Sequence, residues 1–109
     1  MPYDEALAQR IRELAARRRD IAERKMFGGI AFMVSGRLAC CVLENRMIVR
    51  IGEQATAKYI GMTHVSPMDF SGKAMKAFAT IEPEGLRTKT QLSRWFAMAV
   101  EFAALQETP

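Results

Sequence analysis

The chain has 109 residues, of which 50% are hydrophobic and 26% are charged, and its formal net charge is +4. This length closes one small hydrophobic core but not two, and the composition is that of a globular protein rather than a disordered or fibrous one. Every apolar stretch is interrupted well before the roughly 18 residues that a membrane-crossing helix needs, and the N-terminus carries no apolar signal segment. We therefore expect a single cytoplasmic domain over residues 1–109, with no membrane partner.

The first predicted element is an amphipathic helix over residues 4 to about 19. Apolar side chains that recur at three- and four-residue spacing lie on one helical face, and here they are Leu7, Ile11, Leu14 and Ile21. The run Arg17, Arg18 and Arg19 suits the negative end of the helix dipole. Because acidic residues are interleaved with the basic ones in this region, we interpret the arginine run as a solvated helix face.

Three short strands joined by turns follow, over residues 30–34, 38–43 and 47–51. The pair Ser35-Gly36 can supply the positive φ angles that a tight hairpin turn needs. In the third strand, alternation places Met47, Val49 and Ile51 on the side that we expect to face the core.

The two cysteines, Cys40 and Cys41, are neighbours in the second of these strands. Adjacent strand residues point to opposite faces of a sheet, so we expect no disulfide between them. Two thiols without a further cysteine pair or a nearby histidine do not form a structural zinc site. We therefore interpret both cysteines as small buried hydrophobic residues.

The next segment predicts a short helix over residues 53–60, ended by Gly61, and two further strands over residues 65–70 and 73–81. Pro67 cannot donate a hydrogen bond within a sheet, so the fourth strand belongs at an edge. Ser71-Gly72 forms the turn into the fifth strand.

The last predicted element is a helix that begins near residue 88. Thr88 and Gln91 have the spacing of a capping box, and a broad apolar stripe then runs from Leu92 to Ala103. The order of elements is helix, three strands, helix, two strands, helix. It predicts an α+β fold with an antiparallel sheet and with the helices mainly on one face.

Three segments carry a resemblance to a known family: KMFGGIAFMVSGR at residues 25–37, MIVRIG at residues 47–52 and PMDFSGKAMK at residues 67–76. In this order they resemble the N-terminal domain of the TfoX/Sxy family, whose pattern has a K-M-F-G-G opening, a hairpin, a strand ending in R-x-G and a later M-x-F-x-G-x-x-M-K segment. The resemblance covers residues 3 to about 105. It implies a two-layer α-β(3)-α-β(2)-α fold similar to secretion-chaperone-like domains.

The family resemblance implies a regulatory role and no catalytic residues. Full-length competence regulators of this family carry a second, helical C-terminal domain, and the predicted elements here end with the third helix. We therefore expect a stand-alone N-terminal-type domain, whose link to transcriptional or competence regulation is implied by the family alone.

Gly28-Gly29 and His64 are the remaining candidates for chemistry. The two glycines lead into a strand rather than a helix, so we interpret them as a backbone bend or a point of close approach and not as a phosphate loop. His64 is the single histidine and has no set of ligands or nucleophile around it in the sequence, so we expect a surface side chain. We predict no enzyme, no cofactor and no metal site.

The predicted binding residues are Arg50, Asp69, Lys73 and Lys76. Asp69 is a candidate ion-pair partner of Arg50, and the two lysines with Arg50 and Arg46 are candidates for a basic surface that could contact phosphates. The sequence carries no helix-turn-helix, zinc-finger or aromatic-basic RNA motif. Nucleic-acid binding is therefore the alternative to our first hypothesis, which is a small cytoplasmic, non-enzymatic regulatory or protein-interaction module with an unidentified protein partner.

Self-association is a further expectation, because the strands carry apolar residues on both sides of their alternation. A sheet with helices on one face buries only one of those sides, and a twofold dimer would cover the other. The sequence does not fix which alternation points outward, and the candidates for the outer side include Ile30, Phe32, Ala39, Cys41, Met75 and Ile81. Two alternatives stay open, namely that the helices wrap both faces or that the bare side is only a modest patch.

Overall fold

The computed structural model describes residues 3–26, 28–70 and 73–105. Three helices are present in this range: α1 (Glu5–Ala15), α2 (Glu53–Tyr59) and α3 (Lys89–Leu105). The strands are β1 (Ile21–Met26), β2 (Gly29–Val34), β3 (Arg37–Leu43), β4 (Arg46–Arg50), β5 (Val65–Phe70) and β6 (Lys73–Ile81). A turn of 3-10 helix, Pro83–Leu86, leads into α3. The α+β class is confirmed.

All six strands form one antiparallel sheet in the order β1-β2-β3-β4-β6-β5. The first four are a meander of neighbouring strands, and the chain then passes through α2 to reach β5 at the opposite edge. Pro67 lies in β5, as predicted for an edge strand, and pairs with Ala79. The predicted Ser71-Gly72 turn lies outside the described residues.

Strand β1 was not predicted, and four strands rather than three precede α2. Helix α1 ends at Ala15, a turn follows in which the Arg18 N–H donates to the Ala15 carbonyl (2.9 Å), and Ile21 then pairs with Val34 of β2. As an edge strand, β1 is half-buried only at its two ends and exposed in between, so it lacks the alternation that marks a strand. Ile21 also falls at helical spacing from Leu14, which extended the predicted helix too far.

Two glycine-containing turns shape the meander. Ser35 and Gly36 both have positive φ (51° and 83°), as the predicted two-residue hairpin turn requires. Gly28 also has a positive φ of 78°, and a Cβ atom at Gly29 would overlap the carbonyl oxygen of Val42 in β3. The predicted backbone role of the Gly28-Gly29 pair is therefore confirmed.

The hydrophobic core lies between one face of the sheet and the helices. Helices α1 and α3 contribute Leu7, Ala8, Ile11, Leu92, Phe96, Ala99, Val100 and Ala103, and Ala55 and Tyr59 of α2 pack against the same cluster. From the sheet, Met47, Val49 and Ile51 point into this core, as predicted. We call this side of the sheet the covered face. Four of the six candidates for an outer apolar side belong to it, namely Ile30, Phe32, Ala39 and Ile81.

Candidate functional site

The opposite side of the sheet carries a second apolar cluster, which we call the open face. Its buried members are Ala31, Cys41, Ile48 and Met68, and its half-buried members are Met26, Met33, Leu38, Leu43, Met75 and Phe78. All of these residues belong to strands, and among the described residues no helix contributes to the cluster. The long methionine, leucine and phenylalanine side chains shield the small residues between them from water while remaining partly exposed themselves.

Charged residues lie at the margin of the open face. Arg24 pairs with Ala31 across β1 and β2, and Arg46 pairs with Leu43 across β3 and β4. Directly opposed residues in antiparallel strands share a face, so both arginines flank the apolar cluster. An apolar centre with a charged rim is the anatomy of a protein interface. Methionine is also adaptable in shape, which suits a contact surface.

The two cysteines lie on different faces, as predicted. Cys40 is buried in the covered core and Cys41 in the open face, and both are free thiols. Burial raises the pKa of Cys41 to about 12 and raises the pKa of Cys40 well above its usual value. Neither thiol forms appreciable thiolate at neutral pH, so neither is a candidate nucleophile.

The predicted binding residues do not form one described cluster. Arg50 ends β4, and its guanidinium carbon lies 5.6 Å from the centroid of the Phe102 ring in α3. Lys76 is exposed on β6. The side chains of Asp69 and Lys73 lie outside the described part of the structure, so the ion pair between Arg50 and Asp69 remains a prediction.

Arg46, the cation that would extend this predicted basic surface, is engaged by two carboxylates. Its Nη2 atom lies 3.2 Å from Glu44 Oε1, and its Nε atom lies 3.5 Å from Glu82 Oε1. The charge of Arg46 is therefore largely balanced within the protein, and it adds little to a surface that would attract phosphates.

A basic cleft that the sequence analysis missed lies between α1 and α3, with a volume of about 490 Å³. Its lining consists of Arg10, Glu13, Leu14, Arg17, Lys89, Leu92 and Ser93. We call it the α1/α3 cleft. The spacing of Arg10 and Arg17, seven residues apart, was a signal for a common helical face. Lys89 joins them only because α1 and α3 pack together in the core.

Two other arginines, Arg12 of α1 and Arg18 of the turn that follows it, are paired with carboxylates. Arg12 donates from Nη1 to Glu5 (2.6 Å) and from Nε to Glu23 of β1 (2.7 Å), and Arg18 makes two hydrogen bonds to Asp20 (3.0 and 2.8 Å). The hydrogen bond from Arg12 lowers the pKa of Glu5, and the bond from Arg18 lowers the pKa of Asp20. The Arg12–Glu23 pair joins α1 to the edge strand, and the Arg18–Asp20 pair lies within the turn between them, so both serve a structural role.

His64 is exposed, as predicted, and has a positive φ of 71°. Within the described ranges, no three His, Cys, Asp or Glu side chains come together in a way that could bind a metal ion. In the same part of the chain, no helix combines the length and the apolar character needed to cross a membrane.

Comparison with known proteins identifies the family. A model of the TfoX N-terminal domain matches residues 13–103, a range that contains the whole sheet, α2 and nearly all of α3. No curated protein matches the chain significantly. The matched range includes the three sequence motifs on which the resemblance rested. This chain therefore belongs to the TfoX N-terminal domain family.

Proposed function

We propose that the chain is a small, non-enzymatic regulatory module of the cytoplasm that acts through protein–protein contact. We further propose that the open face is the contact surface and that it binds a second copy of the chain. The observation that carries the proposal is an apolar sheet face to which none of the described helices contributes a side chain. Antiparallel sheets tolerate one solvated face, but that face is then mainly polar. Here it is lined by methionine, leucine and phenylalanine.

A second copy fits this surface in size and chemistry. Six strands at a spacing of about 4.8 Å span about 24 Å, and strands of about six residues are about 20 Å long, so the same face of a second copy matches it in size. A twofold interface pairs a surface with itself, so an apolar centre is self-complementary and needs no oppositely charged partner. Arg24 and Arg46, at the margin, can remain in water.

The regulatory and cytoplasmic parts of the proposal rest on other observations. The family to which the chain belongs supports a regulatory type of domain, and a link to transcriptional or competence regulation follows from that family alone. The two free cysteines are typical of a reducing compartment. Both thiols are buried and have raised pKa values, so neither is a candidate nucleophile.

Light scattering coupled to size-exclusion chromatography tests the dimer over a range of protein concentrations. We expect twice the chain mass of 12.3 kDa at micromolar concentration and a single chain mass for Met33→Glu, which introduces a charge into the open face. Met62→Glu is the matched control, because Met62 is 53% exposed and lies outside both apolar clusters. A monomeric wild type at high micromolar concentration, or a dimeric Met33→Glu variant, contradicts the proposal.

A further inference from the structure

The α1/α3 cleft brings together cations from two helices. Arg10, Leu14 and Arg17 come from one side of α1 and the turn after it, and Lys89 and Ser93 lie one turn apart on α3. A second, shallower depression shares Lys89 and Ser93 and continues along α3 past Thr90 to Arg94 and Ala97. The two depressions form one basic track, defined by Arg10, Arg17, Lys89 and Arg94.

The charge of this track is not balanced by the protein. Among the described residues that line it, Glu13 is the one carboxylate, against four cations. Among the described contacts, Arg17, Lys89 and Arg94 have no carboxylate partner, and Arg10 donates to the carbonyl oxygen of Arg87 (3.3 Å), which brings a further cation near. Arg12, Arg18 and Arg46, in contrast, are all ion-paired.

The side chains, and not the end of α3, provide the positive potential. Thr88 and Gln91 form the predicted capping box, in which the Thr88 N–H donates to Gln91 Oε1 (2.9 Å) and the Gln91 N–H donates to Thr88 Oγ1 (3.0 Å). The first turn of α3 is thus already capped by the protein. Arg17, Lys89 and Arg94 are exposed and accessible to a ligand.

The shape of the track favours a polyanion over a single small anion. Lys89 and Arg94 are separated by about 7.5 Å along the axis of α3, at a rise of about 1.5 Å per residue. Charges spread over such a length match a ligand with repeated phosphates, and duplex DNA carries one charge per about 1.7 Å of its axis. The part of the lining that the structure describes has no aromatic side chain on which an unpaired base could stack.

We propose that the α1/α3 cleft and its continuation along α3 bind the phosphate backbone of double-stranded nucleic acid. Leu14 and Leu92 form the apolar floor, and the four cations contact phosphates without reading the base sequence. This site differs from the basic surface predicted around Lys73 and Lys76. Because it lies on the helix layer, away from the open face, a dimer formed through the open face leaves the cleft accessible in both copies.

The proposal predicts the salt dependence of binding. Four phosphate contacts give a slope of about −3.6 for the logarithm of the binding constant against the logarithm of salt concentration, at about −0.9 for each contact. Between 50 and 200 mM salt the affinity should then fall about 150-fold. With three of the cations removed, the fall over the same range should be about 3-fold.

Fluorescence anisotropy of a labelled DNA duplex with the full chain tests these values. The cleft variant is Arg17→Gln, Lys89→Gln and Arg94→Gln combined, and the control is Arg24→Gln, Lys25→Gln and Lys58→Gln combined, which removes the same charge from exposed sites elsewhere. Circular dichroism checks that both variants remain folded. We expect the cleft variant to bind at least about 10-fold more weakly at 50 mM salt, and the control to bind like the wild type.

Several results would overturn the proposal. These are no binding of the duplex at 50 mM salt, an equal loss of affinity in the control variant, and binding of single-stranded DNA that is as tight as that of the duplex. Displacement of the labelled duplex by a stoichiometric amount of inorganic pyrophosphate would indicate a small-anion site instead. Binding of polyglutamate as tight as that of DNA would indicate a site for acidic protein. If the cleft variant unfolds, the single variant Lys89→Glu is used, and an unchanged affinity for this variant also contradicts the proposal.

Discussion

Arg12 of α1 and Glu23 of β1 are joined by a hydrogen-bonded ion pair, with 2.7 Å between Nε and Oε2. The same guanidinium donates from Nη1 to Glu5. Arg12 therefore joins the first helix to the edge strand that follows it, across the turn that begins where α1 ends at Ala15.

Replacement of Arg12 by Gln should lower the free energy of unfolding by about 1 kcal/mol, since two partly exposed ion pairs are lost and each is worth less than about 1 kcal/mol. Urea denaturation at low salt measures this loss, which should shrink at high salt because screening weakens surface pairs. Arg24→Gln is the control, because Arg24 is an exposed arginine of β1, the strand that carries Glu23. An equal effect in both variants would show that the Arg12 pairs are not responsible.

Acid should destabilise the fold through Glu5 and Asp20. Arginine hydrogen bonds hold their pKa values in the folded chain below the ordinary values of 4.5 and 3.8. The stabilisation is therefore fully present above those ordinary values and is lost as the pH falls through the lowered ones. Thermal melts between pH 6 and 2 measure this. The double variant Glu5→Gln and Asp20→Asn should show a shallower acid-side decline, and an identical decline would exclude these groups as the cause.

Gly29 should not tolerate a side chain. A Cβ atom there would overlap the Val42 carbonyl oxygen and the Leu43 side chain, so Gly29→Ala should lower the free energy of unfolding by about 1 to 3 kcal/mol. The neighbouring Gly28→Asn variant is the control, since Gly28 has open space around it and asparagine tolerates its positive φ. Equal melting temperatures for Gly29→Ala and the wild type would contradict the close approach.

Cys40 and Cys41 should be unreactive in the native state. Both side chains are buried and both thiols have raised pKa values, so little thiolate is present at pH 7.5. Titration with a thiol-reactive chromogenic disulfide should detect no fast-reacting group in the native protein and two thiols in denaturant. Rapid reaction of Cys41 without denaturant would show that the open face is more accessible than its burial indicates.

The local patterns of the sequence determined most elements of the fold. The capping box of Thr88 and Gln91 and the positive-φ pair Ser35-Gly36 depend on interactions within a few residues, and the edge position of Pro67 follows from the missing N–H of proline, so all three were predicted and are confirmed. The alternation of Met47, Val49 and Ile51 also placed them correctly in the core. Such features follow from backbone geometry and residue type, and they need no knowledge of distant partners.

Three features were decided only by the tertiary structure. Strand β1 exists because its backbone pairs with β2, and an exposed edge strand carries no periodic apolar signal. Which side of each strand is covered depends on where the helices pack, and the sequence did not fix it: of the six candidates for an outer side, Cys41 and Met75 lie on the open face and the other four on the covered face. The α1/α3 cleft joins Arg10 to Lys89 across most of the chain. Spacing along a sequence can place residues on one helix face, but only core packing determines which two faces meet.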